Sequence, residues 1–144
     1  MAAFNEWKFT VIMASTLLPP IANLEVSISS TEGIQLAGTP EAGEQTFSVE
    51  FVDQIVHESL LGHQVHLVRL DGDMTADELA PWMNFLNPGG LETLAPALFL
   101  GGINEMPAGQ TAYFKVNIES GRYALIADTP NAVGKNMALE FTVE

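Results

Sequence analysis

The chain has 144 residues, of which 47% are apolar and 16% charged, which predicts one packed globular domain and excludes a disordered chain. Its net charge of -13 repels nucleic acid and anionic lipid, so a cation or a basic protein partner fits the chain better. The absence of cysteine excludes disulfides, thiolate catalysis, zinc–thiolate sites and iron–sulfur clusters.

Residues 1–22 form an N-terminal extension with two interpretations. The mostly apolar run from Phe9 to Leu18 follows Lys8 and leads into two prolines, as in a leader peptide. Residues Trp7 to Ala14 are equally rich in strand-forming side chains, which favours an extra strand on this chain or on a neighbouring copy. The run is too short to cross a bilayer as a helix. We therefore separate this extension from a domain over residues 23–144.

From Leu24 onward, most segments alternate apolar and polar residues and are separated by glycine or proline turns. This pattern is typical of an antiparallel β-sandwich, with one face of each strand in the core. The predicted strands cover residues 24–29, 34–37, 46–52, 63–70, 111–118, a segment beginning at 121, and 138–143.

One helix interrupts this pattern. Thr75 and Glu78 form a capping box, in which each side chain bonds the other residue's backbone N–H. Pro81 limits the helix, so we expect a short helical excursion through about Leu86 within residues 75–100. The segment from Leu91 to Leu100 is an apolar connection, helical in part.

Several segments resemble the cupredoxins, in particular the small bacterial plastocyanin-like group. They are Pro40-Glu41-Ala42-Gly43, the strand from His63 to Leu70, Pro107-Ala108-Gly109, and Gly121-Arg122-Tyr123 followed by a loop to Met137. The resemblance covers residues 24–143. It implies an all-β, Greek-key sandwich of seven or eight strands.

The resemblance also implies where copper ligands would lie. Copper-binding members use a histidine before the central strand and then Cys, His and Met from the last loop. These positions carry His63, Ala127, Asn131 and Met137 here. Two ligands are kept and two are replaced, so the chain is a degenerate member without the thiolate of a blue-copper centre. We expect no cofactor.

A vestigial metal site remains a hypothesis at His57, His63 and Met137, with Glu58 as a further ligand. The alternative is that His63 is a core histidine that bonds the C-terminal loop. His66 lies three residues after His63 on the strand, so it faces the opposite side and cannot easily share an ion with it.

A second metal hypothesis places calcium in the loop Asp71-Gly72-Asp73, close to Asp77 and Glu78. This loop lacks the remaining ligands of an EF-hand. Its alternative role is a solvated turn beside the helix cap, where Asp77 and Glu78 complement the helix dipole.

No catalytic motif surrounds any serine, threonine or carboxylate, so we predict a protein that is no enzyme. The apolar residues between 82 and 100 either cover the sheets or form a protein-contact patch. The leading hypothesis is a copper-free binding or structural module that mediates protein interaction or self-assembly. The resemblance implies an extracytoplasmic location. The alternative is a divalent-metal protein that binds copper or calcium.

Overall fold

A computed structural model of the protein describes residues 18–144. The strand or leader predicted for residues 1–22 therefore lies almost wholly outside the described residues. Over the described range the chain forms eight strands and one helix. Their order is β1 (Leu24–Ser29), β2 (Gly33–Ala37), β3 (Gly43–Phe51), β4 (Val65–Leu70), α1 (Ala76–Met83), β5 (Leu98–Ile103), β6 (Thr111–Ile118), β7 (Gly121–Ile126) and β8 (Ala138–Val143).

The strands form two four-stranded sheets. The first sheet has the order β2-β1-β3-β6 and the second has the order β5-β4-β7-β8. All neighbouring strands are antiparallel except β1 and β3, which run parallel. β5 lies against β6 and β2 lies against β8 where the edges of the two sheets meet. The predicted all-β sandwich is confirmed.

The first sheet is buried on one face, as its alternating sequence predicts. Leu24, Val26 and Ile28 of β1 point into the core beside Phe47 and Val49 of β3. The Phe47 ring also stacks on Phe114 of β6, with 4.7 Å between ring centroids. Such a stacked pair adds about 0.5–1.5 kcal/mol beyond its buried area and joins two neighbouring strands.

The two central strands of the second sheet, β4 and β7, are buried on both faces. Leu67 and Leu125 lie opposite each other on one face, and Val68 and Ala124 on the other, and all four are fully buried. Because α1 packs over β7 and β8, the outer face of this sheet has an apolar cover. Consecutive apolar residues in β4 and β7 are the sequence signature of this double burial.

α1 begins as the sequence predicts. Thr75 accepts a hydrogen bond from the Glu78 backbone, and the Glu78 carboxylate accepts one from the Thr75 backbone. The Ala76 N–H donates to Glu140 of β8 at 2.7 Å, which ties the helix start to the second sheet. The helix ends at Met83, earlier than the predicted end near Leu86, and Pro81 lies within it. No helix within residues 18–144 is long and apolar enough to cross a membrane.

β5 is the main difference from the predicted elements, because this segment was expected to be an apolar connection with some helix. It pairs with the edge of β4, and the register shifts between Leu67 and Val68. Gly102 has φ 149°, and a Cβ there would lie 2.2 Å from the Val65 carbonyl oxygen. The glycines required for this close approach remove the alternation by which a strand is recognised.

Candidate functional site

The loop between β7 and β8 brings two of the predicted copper positions together. The Ala127 N–H donates to the Met137 carbonyl at 2.9 Å, and the Met137 N–H donates to the Ala132 carbonyl at 2.7 Å. Ala127 and Met137 are each 2% exposed. At the position where the resemblance predicts the copper-binding cysteine, the chain therefore has a buried methyl group beside a buried thioether.

Asn131 lies elsewhere in the loop. Its backbone has φ 54°, and its carbonyl accepts a hydrogen bond from the Lys135 N–H at 3.0 Å. The residue lines a cleft between the loop and α1, together with Asp77 and Asn84. His57 and Met137 line a different cleft, beside the connector that follows β3. Asn131 thus has a turn-forming role, which suits an amide side chain in the left-handed region.

The connector between β3 and β4 places three polar side chains in a row. The His57 Nε2 and His63 Nδ1 atoms are 3.1 Å apart, and the His63 Nε2 and Asp53 Oδ1 atoms are 2.9 Å apart. His63 is fully buried and His57 is 6% exposed. The predicted proximity of His57 and His63 is found. The predicted bond from His63 to the C-terminal loop is wrong, because both ring nitrogens bond the connector.

These contacts limit where the protons lie. Because a carboxylate only accepts hydrogen bonds, His63 Nε2–H donates to Asp53. At the contact between the two rings, one of the His57 Nε2 and His63 Nδ1 atoms donates and the other accepts. Two protonated rings would place two N–H donors against each other.

Asp53 forms one end of this row and is fixed in position by hydrogen bonds from Ser30. It accepts hydrogen bonds from the Ser30 backbone at 2.9 Å and from the Ser30 hydroxyl at 2.5 Å. The Ser30 hydroxyl is the main reason that the pKa of Asp53 lies below its ordinary value, and His63 adds to the effect. Burial lowers the pKa of His57, and the neighbouring His63 lowers it further. A charged Asp53 and a neutral His57 follow from these directions.

His57 lies in an open cleft of about 480 Å³, which Ser30, Ile55, Lys135 and Met137 also line. Lys135 forms an ion pair with Glu58 at this cleft and donates to the Thr129 hydroxyl at 3.2 Å. Within residues 18–144, no hydroxyl is hydrogen-bonded to either imidazole. The row therefore has the base and the orienting carboxylate of a catalytic triad but no nucleophile.

The residues at the predicted copper positions do not fit a blue-copper ion. Ala127 supplies no ligand, Asn131 faces another cleft, and both nitrogens of His63 have protein partners. The described part of the chain also has no group of three or more histidines and carboxylates that could hold a metal. A metal at His57 and Met137 would have to displace the bond between the two rings to use His63.

Two arginine side chains bond oxygen atoms of the Asp71-Gly72-Asp73 loop. Arg69 donates to the Asp71 carboxylate at 3.1 Å, and Arg122 donates to the Gly72 carbonyl at 2.9 Å. These are the oxygen atoms that a calcium ion would need, and two guanidinium groups beside them repel a cation. The geometry favours a turn joined to β4 and β7 by arginine.

A second cleft lies on the outer side of the second sheet and was not predicted. His66 faces away from His63, as expected, but the chain between α1 and β5 covers it. The cleft has a volume of about 230 Å³, and we name it the Asp128 cleft. Its lining consists of His66, Trp82, Met83, Leu91, Phe99 and Asp128. The sequence signal for it was the clustering of Trp82 with other apolar residues after the helix cap.

Comparison with solved structures identifies the fold. Auracyanin from the photosynthetic bacterium Roseiflexus castenholzii, in its dithionite-reduced form, superposes with a TM-score of 0.57 at 12% identity, covering 83% of this chain and 94% of that one. Auracyanin B superposes with a TM-score of 0.51 at 17% identity, covering 90% and 95%. The protein thus has a cupredoxin-like fold in a degenerate form that lacks the cysteine. No protein-family model and no curated protein sequence matches the chain.

Proposed function

We propose that the protein is a copper-free, cupredoxin-like module that binds another protein and is no enzyme. The replaced ligands at positions 127 and 131 support the first part, because without a thiolate there is no blue-copper electron transfer. We further propose that it acts outside the cytoplasm, as the resemblance to cupredoxins implies. The binding role is supported by one surface of the described chain.

That surface consists of exposed apolar side chains from the end of α1 to the first residues of β5, and we name it the 85–99 surface. Leu94 is 94% exposed, and the other members are between 37% and 54% exposed. Contiguous apolar side chains on a protein surface mark interaction sites more often than isolated ones do. Its members are Phe85, Leu86, Leu91, Leu94, Leu98 and Phe99.

The backbone at Leu91 supports a role for this surface. Leu91 has φ 62°, in the left-handed region, and its N–H donates to the Trp82 carbonyl at 2.9 Å. A leucine in this conformation costs about 1–2 kcal/mol relative to the ordinary helical region. A glycine or asparagine would avoid both this strain and the exposed apolar side chain. We infer that the Leu91 side chain contributes to the contact area of this surface.

The charge of the chain indicates what kind of partner fits. All four basic residues of the described chain, Arg69, Lys115, Arg122 and Lys135, already lie within 4.0 Å of a carboxylate. The surplus of acidic groups behind the net charge of -13 is therefore not neutralised internally. A partner with a basic surface would be attracted and oriented by this field before apolar contacts form.

The test replaces two exposed leucines of the 85–99 surface by serine, Leu86→Ser with Leu94→Ser. The control is Val52→Ser, because Val52 is 52% exposed and lies outside this surface. Solution mass over a concentration series, and cross-linked partners from the cells that make the protein, are compared among the three chains. We expect the double variant to lose an association that the control keeps. Identical association by both chains would contradict the proposal.

Self-assembly through residues 1–22 is the second form of this proposal, since an apolar N-terminal strand can extend a neighbour's sheet. Solution mass of the full chain and of a chain without residues 1–22 tests it. We expect a smaller assembly after deletion. A monomer in both cases, with equal stability, would leave only a different protein as the partner.

A second candidate function, divalent-metal binding, is favoured by the 3.1 Å contact between the His57 and His63 rings and by Met137 in the same cleft as His57. A copper ion suits imidazole and thioether ligands. Calorimetric titration with Cu(II), Cu(I), Zn(II) and Ca(II) compares the protein with His57→Gln and Met137→Leu. The absence of heat at micromolar metal would contradict this function.

A further inference from the structure

We propose that the Asp128 cleft receives an arginine side chain of the protein partner. The inference rests on the proposed protein-binding function and adds the chemistry of its central contact. It starts from the carboxyl group of Asp128, which directly follows the position of the lost copper ligand and has no role in the histidine row.

The Asp128 carboxyl group is incompletely satisfied. Its Oδ1 atom is buried and has no hydrogen-bond partner within residues 18–144. A partly buried carboxylate is unfavourable unless a cation or several donors compensate it. Burial accordingly raises the pKa of Asp128. Because Asp128 lines the cleft, a positively charged group that enters the cleft would lie beside this carboxyl group and compensate its charge.

The walls of the cleft suit a planar cation. The Trp82 and Phe99 ring centroids are 6.0 Å apart, with 44° between the ring planes. The Trp82 indole N–H is already bonded to the Thr93 hydroxyl at 3.1 Å, so the ring face is the part left for a ligand. A guanidinium group stacks on aromatic faces while it donates to a carboxylate, which a point-like ammonium group does less well.

No positive charge of the described chain competes for this position. The cleft contains neither lysine nor arginine. His66 is bonded through Nε2 to the Gln64 side chain at 2.9 Å, and burial lowers its pKa. The ring is therefore a neutral part of the lining.

The size of the cleft limits what it can hold. Its volume of about 230 Å³ is below the range of about 300–1,000 Å³ for sites of drug-sized ligands. One long side chain fits such a space. Leu91 and Phe99 belong both to the cleft and to the 85–99 surface. A partner docked on that surface would thus have the cleft within its contact area, where a desolvated arginine is a common binding hot spot.

The test uses two small probes of nearly equal shape, n-butylguanidinium, which is charged, and n-butylurea, which is neutral. Binding is followed by NMR through the indole N–H signal of Trp82 in the full chain. We expect saturable binding of n-butylguanidinium and at least about tenfold weaker binding of n-butylurea, since a charge-assisted hydrogen bond is lost. Equal binding of the two probes, or no saturable shift, would overturn the proposal.

Three variants assign the effect to residues. Asp128→Asn keeps the shape of the side chain and removes its charge, so n-butylguanidinium should bind at least about tenfold more weakly. Phe99→Leu should weaken it by a smaller factor because one ring face is lost. The control Glu105→Gln removes an exposed carboxylate outside the cleft and should bind as the parent does. If Asp128→Asn binds n-butylguanidinium as tightly as the parent does, the probe binds elsewhere and the proposal is overturned.

Measuring partner capture and probe binding together distinguishes a failure of this inference from a failure of the proposed function. If Leu86→Ser with Leu94→Ser abolishes partner capture while Asp128→Asn leaves it unchanged, the proposed function stands and the arginine contact is wrong. If both variants lose the partner and only Asp128→Asn also loses the probe, both proposals are supported. If the probe binds through Asp128 but no partner depends on the 85–99 surface, the cleft recognises a free alkyl cation and the arginine of a partner is excluded.

Discussion

Two polar clusters, the Asp53–His63–His57 row and the Asp128 cleft, differ in how far the protein satisfies them. In the row Asp53–His63–His57, the carboxylate and both nitrogens of the central ring have partners at 2.9–3.1 Å. In the Asp128 cleft, Oδ1 of the carboxyl group has none within the described residues. A satisfied cluster stabilises the fold, whereas an unsatisfied buried group indicates a ligand or a strained site. We therefore expect a ligand in the Asp128 cleft rather than at the predicted copper positions.

The largest effect should come from converting the satisfied cluster into a metal site. Ala127→Cys with Asn131→His restores the two missing ligand types, so we expect Cu(II) binding with an intense visible band from the thiolate. Adding His57→Leu should strengthen binding, because His63 Nδ1 then has no competing hydrogen bond. Absorption spectra during copper titration measure both effects.

The matched control for this experiment is Asn131→His alone, which adds an imidazole without a thiolate and should remain colourless. A folded double variant that also stays colourless would show that positions 127 and 131 are not equivalent to the copper ligands. Asn131 lies on the α1 side of the loop. The ligand role of position 131 is therefore the part of the hypothesis that this experiment tests most strictly.

The fold was largely predictable from the sequence because alternation is a local pattern. Strands β1, β3 and β6 each expose one polar face, and the capping box of Thr75 and Glu78 is a short-range signal. β5 was missed because Gly101 and Gly102 pack closely against neighbouring strands and leave no alternation. Tertiary contacts, and not a local sequence pattern, determine the strand conformation of that segment.

The candidate sites were less predictable because they depend on contacts between distant residues. The proximity of His57 and His63 was a hypothesis that required the connector to fold back, and the role of Asp53 depends on Ser30, which lies 23 residues earlier. The Asp128 cleft combines β4, α1, β5 and the closing loop. No periodicity places Asp128 beside Trp82, since that contact arises only when the chain after α1 folds over the second sheet.

Removing the carboxylate from the satisfied cluster should destabilise the protein strongly. Asp53→Ala leaves the Ser30 backbone N–H and His63 Nε2–H without their acceptor. Hydrogen bonds to a charged group contribute about 1.5–3 kcal/mol, so we expect a loss of about 2–3 kcal/mol in unfolding free energy. Urea unfolding at neutral pH measures it.

The control for Asp53 is Asp71→Ala, which removes the exposed carboxylate paired with Arg69. An exposed ion pair contributes about 0–1 kcal/mol, so this variant should remain close to the parent. Equal losses for the two variants would show that the Asp53 row has no special structural role, and the comparison of the two clusters would fail.

Removing the charge from the unsatisfied cluster should have a smaller effect of the opposite sign. Because the pKa of Asp128 is raised, the folded state binds its proton more tightly than the unfolded chain does. The stability from this group is present below its ordinary pKa of 3.8 and is lost as pH rises through the raised pKa. Asp128→Asn should therefore raise the unfolding free energy at neutral pH, by less than about 1 kcal/mol because solvent screens the partly exposed carboxyl group.

Acidification should reduce this gain, because Asp128 of the parent becomes neutral as well. His66 changes in the opposite direction in both chains: burial lowers its pKa, so its contribution is present above pH 6.5 and is lost as pH falls through the folded pKa. Subtracting urea-unfolding free energies of parent and variant at each pH cancels the His66 contribution and isolates Asp128. A difference that stays at zero from acidic to neutral pH would mean that the carboxyl group is already compensated, which would remove the physical reason to expect a cation in the cleft.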